Sequence, residues 1–480
     1  MGFVGYGGGV ADCATAQCAH AANKSAVVTA ARVRMNGVIT MAIAIGGVGK
    51  TSTLRRPVVT VGGLYYRATK AIVAKETLLY AMNATSPAPL QANGFPRIVS
   101  LLLNVAHGID HMFLLIFATA VASVAVEFGY AKWEDLMPYS VGAFAAFGLG
   151  ALPAGRLGDL WGRRIMMIIF FIGIGASALL VALTQNAWQL AAALTLLGAF
   201  SAIYHPVGIP MLVQNAPNPG AIIGINGLAG NLGIAVAALA TGFLVKWIGW
   251  RAAFIVPGVI AIACGIMFAV TCPKETNAPS KGKGGKAKVV LTPALLARVF
   301  LVMTAAAVGS SLLFNFTTNG NAQLLSEAFR GVLEDPAVLG VLLALIYTIA
   351  SFAQVVVGRL IDRVPFKPLQ LWMSVIQIPL LIIAAHTQHW YLFAALLAVM
   401  IFVFGSIPFT DAMIVRYVDD RLRSRVAGMR LTVAFGISSA AVWLLGPMVK
   451  SMGFSTLLWI MAGIAAVKAV VVLWLPEESA

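Results

Sequence analysis

From Ile98 onward, apolar stretches about twenty residues long recur along the chain, and nearly all of its charge falls between them. A bilayer core roughly 30 Å thick is crossed by about 20 residues of α-helix. Backbone polar groups inside lipid must pair within their own segment, so such stretches are helices. Composition agrees: 60% of the 480 residues are hydrophobic and 10% are charged, against roughly 25% charged in a soluble domain. The spans are expected at 98–124, 137–156, 165–184, 188–210, 222–245 and 252–271, then at 298–320, 337–358, 368–386, 390–413, 426–449 and 455–475. The expected fold class is an all-α membrane protein of twelve transmembrane helices. Residues 98–271 form one set of six and residues 298–475 the other. Residues 272–297 carry Lys281, Lys283, Lys286 and Lys288 among glycines and read as a flexible linker, with 476–480 a short tail.

Lys and Arg gather on one side. Arg156, Arg163, Arg164, the linker lysines, Arg359, Arg363, Lys367, Arg416, Arg421, Arg423 and Arg425 fall in one set of loops. Lys132, Lys246, Arg251, Arg330 and Lys450 stand in the other. The basic side is the expected cytoplasmic side, which places both termini in the cytoplasm of a multi-pass cell-membrane protein. This asymmetry accounts for most of the net charge of +16 without nucleic acid as a partner. Trp133, Trp161, Trp188, Trp247, Trp250, Trp372 and Trp390 sit near span ends, as interfacial anchors do. Cys264 and Cys272 imply no disulfide framework.

Residues 1–97 read as a leader, either unstructured or the result of a start assigned too early, with Met82 as an alternative start. A targeting peptide or an extra hydrophobic segment near residues 37–49 is the other reading. A chain beginning at Met82 is expected to insert normally. Residues 43–51 resemble part of a phosphate-binding loop, but Ala44 stands where the first glycine belongs. A nucleotide-dependent membrane enzyme or sensor is therefore a remote reading.

Between the second and third spans stands Gly155-Arg-Leu-Gly-Asp159-Leu-Trp-Gly162-Arg163-Arg164. A weaker copy follows the eighth span, Gly358-Arg-Leu-Ile-Asp362-Arg363-Val-Pro365-Phe-Lys367. Glycines allow close helix approach, and an aspartate near a helix N-terminus is favoured by the dipole. The motif resembles the loop motif of the major facilitator superfamily, and its repetition fits an internally duplicated protein. Leu160 departs from the arginine usual in the family, and Pro365 replaces a glycine in the second copy. The resemblance implies two six-helix bundles and a cytoplasmic gate formed by Gly155, Asp159, Gly162, Arg163, Arg164, Gly358, Asp362 and Arg363. Span 4 ends in Ser201-Ala-Ile-Tyr204-His205-Pro206, and span 5 carries Gly230-Asn231-Leu-Gly233. With Ala106-His107-Gly-Ile-Asp110-His111-Met112 in span 1, these are similar to the fosmidomycin-resistance group of drug exporters. Two motifs of common proton-driven exporters are missing, at Leu194–Gly198 and at Ala237-Ala238.

Ionisable groups inside a membrane are costly and usually face a cavity. At helical spacing Asn104, His107 and His111 share a face of span 1, with Asp110 beside them. His205, Asn226, Asn231, Asn315, Thr317, Thr318, Asn319 and Asp411 lie in other spans. In the family, spans 1, 4, 7 and 10 line the central cavity. The resemblance therefore implies a substrate and proton site drawn from Asn104, His107, Asp110, His111, His205, Asn231, Asn315 and Asp411. For any lone Asn or Thr, a helix-packing hydrogen bond is the simpler role. His386-Thr-Gln-His389 lacks a third ligand and reads as a loop. No zinc signature, nucleophile–base pair or dinucleotide fingerprint is present, so no enzyme, metal site or cofactor is expected. The expected function is proton-coupled export of a small organic compound by a monomer, with uptake of a metabolite as the alternative.

Overall fold

The computed structural model describes residues 96–214, 219–274, 293–361, 363–409, 412–413 and 420–475. Residues 1–95 of the leader, most of the linker, the tail, Asp362 and Asp411 lie outside the described residues. In chain order the long helices are α1 (Arg97–Glu127), α2 (Val141–Trp161), α3 (Arg163–Ala182), α4 (Ala187–Ser201), α5 (Pro219–Trp247) and α6 (Trp250–Thr271). They continue as α7 (Pro293–Ala328), α8 (Pro336–Ile361), α9 (Phe366–His386), α10 (His389–Gly405) and α11 (Asp420–Leu473).

Among the described residues, eleven helices are long and apolar enough to cross a membrane, where twelve spans are expected from sequence. The difference lies in α11. Its 54 residues hold Gly453 at φ 76° and ψ 168°, which breaks one element into two helices. A single glycine makes that turn, so no polar loop separates the last two spans. Gly162, at φ 92° and ψ 145°, makes the same kind of one-residue break between α2 and α3. Both backbones occupy the positive-φ region that side-chain-bearing residues avoid.

Surface and interior are arranged as lipid requires. Leu149, Leu152, Ile266, Val270, Leu345 and Val470 stand exposed, whereas Asp110, Asn226, Asn231, Asn319 and Gln377 are buried. Water would not tolerate so much contiguous apolar surface. In the first half α1 lies along α5, α3 along α6 and α2 along α4. In the second, α7 and α9 lie along α11, and α10 along α8. Across the halves, α5 packs on α8 and α2 on α11.

The halves are tied at the ends poor in Lys and Arg, and the ties come in a matched pair. Lys246, at the end of α5, forms an ion pair with Asp335, just before α8. Lys450, in α11, pairs with Asp135, just before α2. Each half thus contributes one lysine and one aspartate. The Trp133 and Phe454 rings stack across the same two elements that the Lys450–Asp135 pair joins, with centroids 6.1 Å apart. Gly446 lies against the Glu134 carbonyl, where a Cβ would not fit. Nearer the interior, Gln323 Nε2 donates to the Ala118 carbonyl at 3.3 Å.

The Lys246 ammonium, with the N–H groups of Ala337 and Val338, holds the Asp335 carboxyl below its usual range. A lowered value means that this tie keeps its charge through neutral pH and is lost only on strong acidification. It is therefore not a pH sensor at working pH. Exposed pairs contribute little one by one and are screened by salt. Reversing one charge, Asp335→Lys, is expected to open this end severalfold more often, read as labelling of a cysteine placed at Ala118. Adding Lys246→Asp should restore the protected state. Unchanged labelling in Asp335→Lys would show that apolar packing alone holds this end shut.

Candidate functional site

The polar residues of α1 meet the second part of span 4 and α5. Span 4 continues from α4 through a wide turn at Tyr204–Gly208 into a short helix, Ile209–Val213. Pro206 lacks an N–H and cannot continue an ordinary helical ladder, so the helix loosens there. Such π-type turns often mark functional sites. This one presents Tyr204 and His205 toward α1.

Asp110 is 0% exposed. Its Oδ2 stands 3.3 Å from His205 Nδ1, whose side chain is 15% exposed. The Ser201 hydroxyl lies beside the same carboxylate. Neither carboxylate oxygen has a well-aligned hydrogen bond among the described residues. His107 Nδ1 lies 2.7 Å from the Asn226 carbonyl oxygen. A carbonyl only accepts, so Nδ1 carries the proton and donates it. The other His107 nitrogen, Nε2, faces His111 Nε2 at 3.2 Å. The His107 ring stacks on Tyr204 with centroids 4.8 Å apart and meets His205 edge-on at 5.1 Å.

Hydrogen bonds behind these rings hold them in place. Tyr204 OH donates to the Leu103 carbonyl at 2.8 Å, and Asn226 Nδ2 donates to Tyr204 OH at 2.7 Å. Asn226 Nδ2 also donates to Asn104 Oδ1 at 3.1 Å. The glycines of Gly230-Asn231-Leu-Gly233 explain how α5 comes so close. A Cβ on Gly230 would lie 2.7 Å from His107 Nε2. A Cβ on Gly233 would lie 2.7 Å from Gly108 Cα. The motif is a groove in α5 into which α1 and its histidine fit.

Asn104, His107, Asp110, His111 and His205 therefore come together. Asn231 is buried next to this groove in sequence, and its Nδ2 has no hydrogen bond among the described residues. Asn315 does not join them. It donates to the Ser311 carbonyl at 2.9 Å and to Ser438 Oγ at 2.8 Å, bracing α7 against α11. Thr317, Thr318 and Asn319 bond back to carbonyls of their own helix.

The loop motif is placed differently from the sequence expectation. Asp159 lies in the last turn of α2, where the dipole opposes an anion, and not at a helix N-terminus. It is exposed, and none of the described ion pairs includes it. Arg163 Nη1 donates to Gln214 Oε1 at 3.2 Å, and Arg164 Nε to the Cys272 carbonyl at 2.8 Å. Those partners belong to the first half. Gly155 and Gly158 do allow close approach: Cβ atoms there would meet Pro206 at 3.2 Å and Val207 at 2.9 Å. Gly358 has open space around it, and Arg363 is exposed. His386 and His389 flank the short turn between α9 and α10, where Trp459 Nε1 donates to His386 Nε2 at 3.2 Å.

Sequence reading did not single out Lys468, and named Ser201 only as the start of the span-4 motif. Lys468 is a buried lysine in α11 whose Nζ donates to Gln377 Oε1 at 2.9 Å. Gln377 Nε2 donates onward to the Phe402 carbonyl and to Ser406 Oγ. A lone lysine within an apolar run was the available signal.

Residues 103–325 match the family described as the Major Facilitator Superfamily. The match runs from α1 into α7. The chain is 32% identical over 190 residues to a probable actinorhodin transporter of Streptomyces coelicolor, covering 38% of this chain and 32% of that protein. It is 26% identical over 185 residues to a tetracenomycin C resistance and export protein of Streptomyces glaucescens, covering 37% and 34%. The chain thus spans about a third of the length of these relatives. A bacterial homolog of the human lysosomal transporter Spinster, solved inward-facing and occupied, shares the fold with a TM-score of 0.59 at 15% identity. That likeness covers 78% of this chain and 94% of the other.

Proposed function

We propose that the protein is a secondary active transporter of the cell membrane that exports a small organic compound in exchange for protons. It works as a monomer by alternating access of two six-helix bundles, twelve helices in all, with both termini in the cytoplasm. The observation that carries this reading is Asp110, fully buried in α1 and meeting His205 of the neighbouring span. A buried carboxylate is stable only when paired or neutral. Helix movements that alter its contact with His205 would therefore be tied to its proton. Supporting the direction, the named relatives include a resistance and export protein. The His205-Pro206 pair and the Gly230-Asn231-Leu-Gly233 groove favour the fosmidomycin-resistance group within the superfamily.

With the basic loops in the cytoplasm, the tied ends are the outer ends, and we read the conformation as closed to the outside. The exposed Asp159, in none of the described ion pairs, fits a cytoplasmic gate that is not engaged.

A strain lacking the protein, screened with antibiotics and metabolites for growth and intracellular content, tests the direction. Export predicts that the deletion strain is more sensitive and accumulates the substrate. If instead it loses intracellular substrate, export is wrong and metabolite uptake takes its place.

A further inference from the structure

We propose that His107, His111 and His205 form a binding site for a divalent transition-metal ion, with Zn²⁺ the best fit. The ligating atoms of these three side chains all lie within 4.8 Å of one another. No metal signature is visible in the sequence, because two ligands come from one helix turn of α1 and the third from a span about a hundred residues away.

Geometry carries the proposal. Nitrogens held about 2.0–2.1 Å from a tetrahedral ion stand about 3.3 Å apart. His107 Nε2 and His111 Nε2 are 3.2 Å apart, already at that spacing. Without a metal, His111 Nε2–H donates to the His107 Nε2 lone pair at this distance; a bound cation would replace that shared proton, with His111 carrying its own proton on Nδ1. The third nitrogen needs only a small closing movement of His205, whose ring lies 5.1 Å and 5.7 Å from the other two rings.

Outer contacts orient two of the three ligands, His107 and His205. A ligating histidine typically donates its other N–H to a carbonyl or a carboxylate, which fixes the ring and the free lone pair. His107 Nδ1 donates to the Asn226 carbonyl at 2.7 Å, which leaves the lone pair on Nε2. His205 Nδ1 faces the Asp110 carboxylate at 3.3 Å, so a neutral His205 donating there carries its lone pair on Nε2. Both orienting groups belong to buried residues. Three imidazoles suit Zn²⁺, Co²⁺, Ni²⁺ or Cu²⁺, whereas Mg²⁺ and Ca²⁺ prefer oxygen ligands. A three-nitrogen set leaves a fourth position for water or a small ligand.

The test uses the full chain purified without a polyhistidine tag, stripped with chelator and titrated with Co²⁺ alone, with no substrate and no gradient present. One tightly held equivalent is expected, with the visible absorption of four-coordinate cobalt bound to nitrogen, and Zn²⁺ should displace it. His107→Gln, His111→Gln and His205→Gln should each weaken binding by at least about 10-fold. The double variant His386→Gln/His389→Gln should bind as wild type does. An absent signal, six-coordinate cobalt, or affinity unchanged in His205→Gln with a monodisperse protein would overturn the proposal. Because the titration needs no transport, its failure leaves the export reading untouched, and loss of transport leaves the metal site untouched.

Discussion

Gly233→Leu is expected to remove most of the folded protein from the membrane, and Gly233→Ala to lower its melting temperature clearly. A Cβ at this position would overlap the Gly108 carbonyl oxygen and stand 2.7 Å from the Gly108 carbonyl carbon and Cα, backbone atoms with no side chain to move aside. Relief requires α1 and α5 to separate, and that would pull His107 out of the recess beside Gly230. Overpacking of this kind typically costs about 1–3 kcal/mol, and more where backbone is struck. Gly224 lies on the same helix with nothing within 4 Å of its would-be Cβ. Gly224→Ala should leave stability unchanged or raise it by up to about 1 kcal/mol through helix propensity. Thermal unfolding followed by size-exclusion fluorescence distinguishes the two. Equal melting temperatures for Gly233→Ala and Gly224→Ala would mean that the crossing of α1 and α5 is looser than described.

Asp110→Asn is expected to abolish substrate movement driven by a pH gradient while leaving gradient-independent exchange partly intact. Asparagine keeps the shape and can still accept a hydrogen bond from His205, so folding should survive. What disappears is the group that binds and releases a proton. A purely structural Asp110 would tolerate the change, and pH-driven transport would persist. In that event the coupling residue is not Asp110, and His205 is next to test.

Much of the helical layout was legible in the sequence because lipid imposes so strict a length and polarity rule. The span expected at 98–124 is α1, Arg97–Glu127, and that at 252–271 is α6, Trp250–Thr271. The break at Gly453 was placed between residues 449 and 455, although no polar loop marks it. Along one helix, periodicity was equally informative: His107 and His111, four residues apart, face each other. What sequence could not supply was the meeting of distant segments. Nothing in the order of residues says that Tyr204 caps Leu103, or that Gly230 makes room for an imidazole from α1. The dipole argument for Asp159 failed because α2 runs on to Trp161, two residues beyond the aspartate. Asn315 was grouped with the interior cluster because span 7 lines the family's central cavity, yet Ser438 of α11 accepts from its amide. Lys468 escaped notice because a single charge barely lowers the mean hydropathy of an apolar run.

Coupling of transport to protons is the central claim, and proteoliposomes holding the purified chain test it most directly. A pH-sensitive dye inside the vesicles would follow proton movement after addition of the substrate identified by the deletion-strain screen. The account predicts substrate-dependent proton flux that vanishes in Asp110→Asn, together with substrate accumulation that collapses when an ionophore dissipates the gradient. Accumulation that persists after the pH gradient is gone, with no proton flux on adding substrate, would contradict it.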